Sequence, residues 1–275
     1  MVSPTPKLVI SDDIQTAIFR HAREMASMTP PQEAAGVIKF SKNTPRYIAC
    51  RNMAANPHHS FRIRRGELDR HAPLAAIVHS HPGGPSYPSM HDMQQQIASN
   101  LPWLIAVVAT ASKPNIHEEM IVWGGEAKIQ EDAGYRHGVS DCYGLIRGWY
   151  QSVCGVALPD FPRPWEWWLA GGDLYRQYFA EAGFTHIPPS TSDEIFTPQI
   201  GDVFLASIRS PVPNHAGIYI GEGLILHHLA GRDPVALHRL PSKEPIERWR
   251  KFITMWLRHR HHQHQHQHEG QSVYV

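Results

Sequence analysis

A short segment of the chain, His79–Asp92, combines two histidines and an aspartate at spacings that suit metal coordination. His79 and His81 end an apolar run at 74–78, and residues two apart in an extended segment point to the same side. A turn rich in Pro and Gly then returns the chain, so that Asp92 can supply an oxygen as third ligand. Two nitrogens and one carboxylate, with the fourth position left to water, form the open arrangement of a catalytic zinc site.

Two more residues fit hydrolysis at such a site. Zinc lowers the pKa of a bound water to about 7, so that the water becomes a nucleophile near neutral pH. Glu33 directly precedes a predicted strand and is the candidate base that takes up the proton. Ser89 is the candidate donor to the oxyanion that develops on an attacked carbonyl. The pattern therefore predicts zinc as cofactor and metal-assisted hydrolysis as chemistry.

Cys142 introduces a different chemistry. It begins a predicted helix, and the positive end of a helix favours the thiolate form of a cysteine. His215, at the head of an apolar strand, is the candidate base, and His227 on the next strand of a hairpin can orient its ring. His228 is an adjacent rival for this third role, but alternation along a strand turns only one of the two inward, and the spacing favours His227.

The first set resembles the motif of the JAMM (MPN-plus) metallopeptidases. The resemblance rests on His-x-His-Pro, the following Pro-Ser-x-x-Asp and the upstream Glu-x-x-Gly. It implies a zinc-dependent peptidase or isopeptidase on a β-sheet flanked by helices. Its metal ligands would be His79, His81 and Asp92, with Glu33 as general base and Ser89 as oxyanion-stabilising serine. A metal site that no longer catalyses is the alternative.

The second set resembles the NlpC-type cysteine peptidases, which have a papain-like fold and usually cut peptides of the bacterial cell wall. The matching segments are Asp-Cys-x-Gly-Leu from Asp141, Gly-Asp-Val from Gly201 and His-x-Gly-Ile-Tyr from His215. The resemblance implies Cys142 as nucleophile, His215 as base and His227 as third polar residue, with Tyr135 lining the substrate site. Tyr143 stands where many members carry Ser, which leaves the substrate preference open. Cys50 and Cys154 have no partner motif and are interpreted as packing residues.

The elements that must position these side chains follow from apolar periodicity and turn residues. In the first half the patterns predict helices over 11–28 and 90–101 and strands over 34–40, 46–50, 74–78 and 103–110. In the second half they predict a helix over 142–154 and strands over 202–206, 216–220 and 224–229. With the two resemblances, these patterns predict an α/β N-terminal JAMM-type domain plus an α+β papain-like C-terminal domain.

Composition indicates the domain boundaries and excludes some classes of protein. The domains are expected at 1–125 and 134–260, joined by a polar linker at 126–133. A His/Gln-rich run of low complexity begins at His259. This run and the tail at 261–275 are expected to be disordered. A net charge of +1 argues against a protein that coats nucleic acid. We expect no signal peptide and no membrane span, and the 3 widely spaced cysteines do not form a disulfide framework.

The succession of the two domains is similar to a family of tail-tip proteins of lambda-like phages, over about 33–260. This resemblance implies other phage tail-tip proteins and peptidoglycan peptides as partners. It places the protein in the host cytoplasm during assembly and leaves the virion tail tip open as a second location. Two functions follow. The protein is a bifunctional peptidase, or it is an assembly factor that uses peptidase folds as binding modules.

Overall fold

A computed structural model of the chain describes residues 8–125, 127–129, 132–188, 196–231 and 239–261. The chain divides into two compact units, Met1–Gly125 and Glu126–Val275. Among the described residues, no helix combines the length and the apolar character needed to cross a bilayer.

The first unit is a five-stranded sheet with helices packed against it. In chain order its elements are α1 (Asp12–Ala26), β1 (Ala35–Ser41), β2 (Thr44–Cys50), α2 (Arg65–His71), β3 (Leu74–Pro82), α3 (Met90–Ser99), β4 (Trp103–Val108) and β5 (Glu119–Trp123). The strands lie in the order β2-β1-β3-β4-β5. β3 and β4 pair in parallel, whereas the other neighbours pair antiparallel.

Helix α1 covers the sheet with one apolar face. Ile14, Ile18 and Ala22 recur every four residues, so they share a face, and all three are buried in the core. Ser11 occupies the N-cap, although its side chain makes no capping hydrogen bond. The predicted helix over 11–28 is confirmed, with slightly shorter ends.

Strand β3 lies between β1 and β4 and is the element that delivers the histidines. It continues to Pro82, four residues beyond the predicted 74–78, because its pairing with β4 extends to the register Pro82–Val108. All residues of β4 are buried. β5 was not predicted, since a five-residue strand gives a weak periodic signal.

The second unit is built on a six-stranded antiparallel sheet. In chain order its elements are α4 (Cys142–Trp149), a π-helical segment (Tyr150–Cys154), α5 (Leu174–Tyr178), β6 (Phe184–Ile187), β7 (Val203–Ala206), β8 (His215–Gly221), β9 (Leu224–His227), β10 (Ser242–Pro245), a 3₁₀ turn (Ile246–Arg248) and β11 (Ile253–His259). The strand order is β10-β9-β8-β7-β11-β6.

Helix α4 starts at Cys142 as predicted and packs its buried residues Leu145, Ile146 and Trp149 into the core of this unit. The predicted helix over 142–154 is not α-helical throughout. After Trp149 it widens into the π-helical segment, which ends where Gly155 adopts a left-handed conformation (φ 66°).

The disorder expected for the low-complexity run that begins at His259 is wrong for His259 itself. This residue is the last of β11, is buried, and packs its ring against Tyr150 and Phe184. A histidine in a His-rich run can therefore still be a core residue when strand pairing turns it inward. Residues 262–275 of the tail lie outside the described residues, as do 126, 130 and 131 of the predicted linker. Within that linker, Ile129 packs against the core of the second unit.

Candidate active sites

The two histidines of β3 project from the same face of the strand and meet. Both are buried, and their Nε2 atoms lie 3.2 Å apart. The ring of His79 stacks on Phe61, with centroids 4.4 Å apart. The Nδ1 atom of His81 donates to the carbonyl oxygen of Pro85 at 2.8 Å, which leaves the Nε2 lone pair for a metal.

Helix α3 brings Asp92 to the same point. Ser89 is the N-cap of α3 and forms a capping box with Asp92, in which each residue's side chain accepts from the other's backbone N–H. This box fixes the carboxylate. Its Oδ1 lies 3.3 Å from Nε2 of His79, and its Oδ2 lies 3.5 Å from Nε2 of His81.

The three ligand groups fit a zinc ion. Bond lengths of about 2.0–2.1 Å in a tetrahedron place ligand atoms about 3.3–3.4 Å apart. The two imidazole nitrogens lie 3.2 Å apart, and each has one of the two Asp92 oxygens at 3.3 or 3.5 Å. Burial alone would raise the pKa of Asp92, but the charges and hydrogen bonds of His79 and His81 outweigh it and hold the pKa well below its usual range. The site therefore offers an anionic oxygen and two imidazole nitrogens.

Glu33 is buried two residues before the start of β1. Its backbone is fixed on both sides, because its N–H donates to Pro57 (2.7 Å) and its carbonyl accepts from the Asn52 amide (3.0 Å). Burial raises the pKa of Glu33 to about 7; His81 lowers it and Asp92 raises it further. A carboxyl group with this pKa can both accept and release a proton near neutral pH.

Ser89 is exposed at the start of α3. Its hydroxyl oxygen accepts the backbone N–H of Asp92 at 3.1 Å. The hydroxyl proton is not used in that bond, so it can be donated to another acceptor, as an oxyanion-stabilising role requires.

Cys142 is held at the N-terminus of α4 by its neighbour. Asp141 is the N-cap and accepts the N–H groups of Gly144 (2.8 Å) and Gly138 (2.9 Å). A side chain at Gly144 would lie 2.5 Å from the carbonyl oxygen of Val139, so only glycine fits there. The Asp-Cys-x-Gly pattern thus encodes the cap that presents the thiol.

The Cys142 thiol is enclosed. Its sulfur lies 2.9 Å from the hydroxyl of Tyr175 on α5 and receives the backbone N–H of Ala216, the residue after His215. Burial, followed by the charge of Asp141, raises the pKa of Cys142 to about 11. This is opposite to the predicted thiolate, because burial and an adjacent carboxylate outweigh the N-terminus of a short helix.

His215 and His227 form the expected pair across the β8–β9 hairpin. Nε2 of His215 lies 3.1 Å from Nδ1 of His227, so Nδ1 is the nitrogen of His215 that is left for the thiol. Burial and the neighbouring histidines lower the pKa of His215 well below its usual value, and it is neutral at pH 7. A neutral imidazole is the form that a general base requires.

The chain of contacts from His215 to His227 extends to Glu244 on β10, a residue that the sequence motifs do not identify. Nε2 of His227 lies 3.4 Å from Oε1 of Glu244 and 3.2 Å from Oγ of Ser242. Trp249 packs its ring on His227, with centroids 4.3 Å apart, and donates its indole N–H to Glu244 at 3.0 Å. Glu244 and Tyr175 lie far from the motif segments along the chain, and neither has a spacing signal that could have found it.

His228 faces away from this relay. Its Nε2 bonds the carbonyl of Arg239 at 2.6 Å, and its ring packs against Tyr135. The structure therefore brings His227, and not His228, to His215.

Tyr143 is buried in the core and donates its hydroxyl to the carbonyl of Pro159 (2.8 Å).

Two family models match the chain in succession. The model described as prokaryotic homologs of the JAB domain matches residues 14–122, and the model of the NlpC/P60 family matches residues 119–254. The first range contains all the candidate metal-site residues, and the second contains Cys142, His215 and His227. These matches confirm the predicted fold class of both domains.

Two phage proteins are similar to this chain over more than half of its length. Tail tip assembly protein K of Escherichia phage lambda is 36% identical over 156 residues, covering 57% of this chain and 70% of the lambda protein. Tail tip assembly protein K of Escherichia phage N15 is 30% identical over 220 residues, covering 78% of this chain and 84% of the N15 protein.

The chain belongs to the tail tip assembly protein K family. As a member of the K family it joins two domains of peptidase families in one chain, and the predicted resemblance to tail-tip proteins of lambda-like phages is confirmed.

Proposed function

We propose that this member of the K family is a phage tail-tip protein with two peptidase activities. The second unit is a cysteine endopeptidase that cleaves peptidoglycan stem peptides, and the first is a zinc-dependent peptidase or isopeptidase. The observation that carries the proposal is the grouping of reactive side chains in each unit. His79, His81 and Asp92 lie within 3.5 Å of one another in the first unit. In the second, His215, His227 and Glu244 form a relay, and the Cys142 sulfur receives the backbone N–H of Ala216, the residue after His215.

In the first unit, His79, His81 and Asp92 would hold the ion. Zinc, when bound, supplies a water of lowered pKa and a Lewis acid for the scissile carbonyl. Glu33 takes up the proton of the attacking water and returns it to the leaving amine, as its pKa of about 7 allows. The Ser89 hydroxyl donates to the developing oxyanion.

In the second unit, His215 takes the proton of the Cys142 thiol through Nδ1. The sulfur then forms a bond to the substrate carbonyl, and the imidazolium gives its proton to the leaving amine. His227 and Glu244 stabilise the positive charge that His215 carries in between. Water attacks the resulting thioester with His215 as base, which releases the second product and restores the thiol.

The substrate and the location rest on similarity. The NlpC/P60 match supports cell-wall peptides as substrates of the second unit, and the names of the lambda and N15 relatives support a role in tail tip assembly. We place the protein in the host cytoplasm during assembly, with other tail-tip proteins as partners, and at the tail tip afterwards.

Peptidoglycan digestion tests the second unit. Purified protein is incubated with peptidoglycan, and the released peptides are identified by mass spectrometry. Cys142→Ala should lower peptide release by at least about two orders of magnitude, the scale of removing a nucleophile that acts with its base. Cys154→Ala, outside the relay, is the matched control and should retain release. Equal release by both variants would refute the assignment.

Metal analysis tests the first unit. His81→Ala should lose zinc from this site, because two protein ligands rarely hold the ion. Glu33→Gln should keep the zinc, since it alters the base and no ligand. A Glu33→Gln protein that loses the metal together with His81→Ala would show that Glu33 is a ligand and would overturn its proposed role.

The enclosed thiol favours a second candidate function, an assembly factor whose peptidase folds bind partners without cleavage. With the sulfur under Tyr175 and a pKa of about 11, Cys142 is protonated and covered as the structure stands. Complementation of a phage that lacks this gene with the Cys142→Ala protein distinguishes the two functions. Normal infection would support the assembly factor, whereas normal tails that fail to infect would support cleavage during cell-wall entry.

A further inference from the structure

A second cluster of metal-binding side chains lies in the first unit, away from the histidines of β3. Cys50 is the last residue of β2, and Glu67 and His71 lie one turn apart on the same face of α2. One ligand atom from each residue lies within 4.8 Å of the other two. The sequence suggested only packing for Cys50.

The hydrogen bonding of this cluster is incomplete. The buried Cys50 thiol donates to the carbonyl oxygen of Ile48 at 3.7 Å, and its sulfur lies within 4.8 Å of a carboxylate oxygen of Glu67. Nδ1 of His71 is also shielded from solvent, and among the described residues it has no hydrogen-bond partner. A buried polar atom left without a partner costs about 1–3 kcal/mol. The imidazole nitrogen is therefore placed beside a thiol and a carboxylate with its own bonding capacity unused.

We propose that Cys50, Glu67 and His71 form a second zinc site. One sulfur, one nitrogen and one oxygen are ligands that zinc accepts in tetrahedral geometry, with a water as fourth. Magnesium and calcium prefer oxygen ligands, so the sulfur selects against them. Zinc requires ligand atoms about 3.3–3.8 Å apart, from bond lengths of about 2.0–2.3 Å. The ligand atoms lie within 4.8 Å of one another, so side-chain adjustments of at most about 1.5 Å bring them to these distances.

The charge around the cluster is compatible with a cation. The exposed Arg51, Arg64 and Arg70 line a cleft with Glu67. A thiolate and a carboxylate together neutralise a divalent ion, so the occupied site carries no net positive charge to be repelled by these arginines.

The site would fix the segment that holds the base of the first active site. Asn52 follows Cys50 by two residues, and its amide donates to the carbonyl oxygens of Glu33 and Ser60, each at 3.0 Å. A metal that ties the end of β2 to α2 restrains the backbone directly before Asn52. This role is structural and is independent of whether either unit has peptidase activity.

Zinc stoichiometry of the protein with both units present tests the proposal. The tail residues 261–275 are removed from all proteins to exclude binding by their histidines, and His81→Ala is used as background to remove the first site. The protein is loaded with zinc, desalted and analysed for metal. His81→Ala should retain one equivalent, and adding Cys50→Ser should abolish it, whereas adding Cys154→Ser should not.

Cobalt(II) provides a direct signature of the sulfur ligand. In the His81→Ala background, cobalt should give a thiolate charge-transfer band in the near ultraviolet that survives Cys142→Ser and disappears with Cys50→Ser. Because Cys50 is buried, His71→Gln and Glu67→Gln serve as milder variants, with folding checked by circular dichroism. Folded His81→Ala protein that holds no zinc, or whose zinc or cobalt band is unaffected by Cys50→Ser and His71→Gln, would overturn the proposal.

Discussion

The environment of the Cys142 sulfur shows how single side chains control the second site. The thiol sits where a helix N-terminus favours the thiolate, yet its burial, followed by the charge of Asp141 beside it, raises its pKa to about 11. The hydroxyl of Tyr175 partly opposes this shift by hydrogen bonding to the sulfur, but the same side chain covers the thiol. We therefore expect access to the thiol to depend on Tyr175.

Tyr175→Ala should increase the alkylation of Cys142. Removing the ring uncovers the sulfur, and we expect this gain in access to outweigh the loss of a hydrogen bond of about 1 kcal/mol that favours the thiolate, so that the rate with iodoacetamide rises by about fivefold or more. Tyr175→Phe keeps the cover, loses only the hydroxyl that favours thiolate, and should not raise the rate. Peptide mass spectrometry of the labelled protein measures each cysteine separately. The same rate for wild type and Tyr175→Ala would show that Tyr175 does not control access.

The buried His227 should make stability depend on pH. Burial, partly opposed by Glu244, lowers the pKa of His227 from 6.5 to about 4. Between these values the unfolded chain binds a proton that the folded chain excludes, so the free energy of unfolding falls as the pH drops from about 6.5 to about 4. A pKa difference of this size corresponds to about 3 kcal/mol.

The His227→Asn variant isolates this contribution. Urea unfolding at pH 7 and at pH 4 gives the loss of stability on acidification for each protein. The loss should be smaller in the variant by about 3 kcal/mol, because the group that titrates is gone. Equal losses in the two proteins would contradict a neutral, buried His227.

The hairpin of β8 and β9 determines which histidine reaches His215. Gly217 pairs with His227 in the register of the hairpin, and a side chain there would come within 2.7 Å of the His227 Cβ. The strand can therefore hold His227 against His215 only with glycine at this position. The His-x-Gly pattern is thus a packing requirement of the base.

The N-terminus of α4 depends on a buried ion pair. Arg163 donates to Asp141 at 2.9 Å, and both side chains are almost fully buried. Arg163→Ala leaves the Asp141 charge buried without its partner, and we expect it to lower the free energy of unfolding by about 3–5 kcal/mol. Arg176→Ala removes an exposed ion pair with Asp173 and should lower it by less than about 1 kcal/mol. Thermal or urea unfolding compares them, and similar effects of the two variants would refute a special role for Arg163.

At the scale of the whole molecule, each candidate active site is contained in one unit. The candidate metal ligands, Glu33 and Ser89 belong to Met1–Gly125, and the cysteine relay belongs to Glu126–Val275. Neither set takes a residue from the other unit. The two chemistries should therefore respond independently to inhibitors and mutations.

Crossed inactivation of the intact protein tests this independence. A chelator should leave the release of peptidoglycan peptides unchanged, because the thiol, the histidines and Glu244 need no metal. Cys142→Ala should leave any cleavage by the first unit unchanged, because the nucleophile there is water. Loss of cell-wall cleavage on chelation, with retention in Cys142→Ala, would show that the substrates are assigned to the wrong units.

The sequence by itself determined the elements and the reactive residues that lie close together along the chain. Alternation in β3 predicted that His79 and His81 share a face, and the cap of α3 brings Asp92 back within a few residues, so local geometry was sufficient. The same reasoning predicted α4 and the β8–β9 hairpin, because their apolar patterns are regular. The patterns did not predict α2, α5, β5, β6, β10 and β11. Four of these, α5, β5, β6 and β10, have only four or five residues. Helix α2 has no buried residue to mark a face, and β11 does not alternate strictly between buried and exposed positions.

Only the tertiary structure decided the contacts between residues that are distant in sequence. It placed Tyr175 over Cys142, Glu244 behind His227 and His71 beside Cys50, and it turned His259 into the core. It also reversed the expected pKa of Cys142. Burial and charge at a side chain depend on every element packed around it, and sequence spacing does not specify that packing.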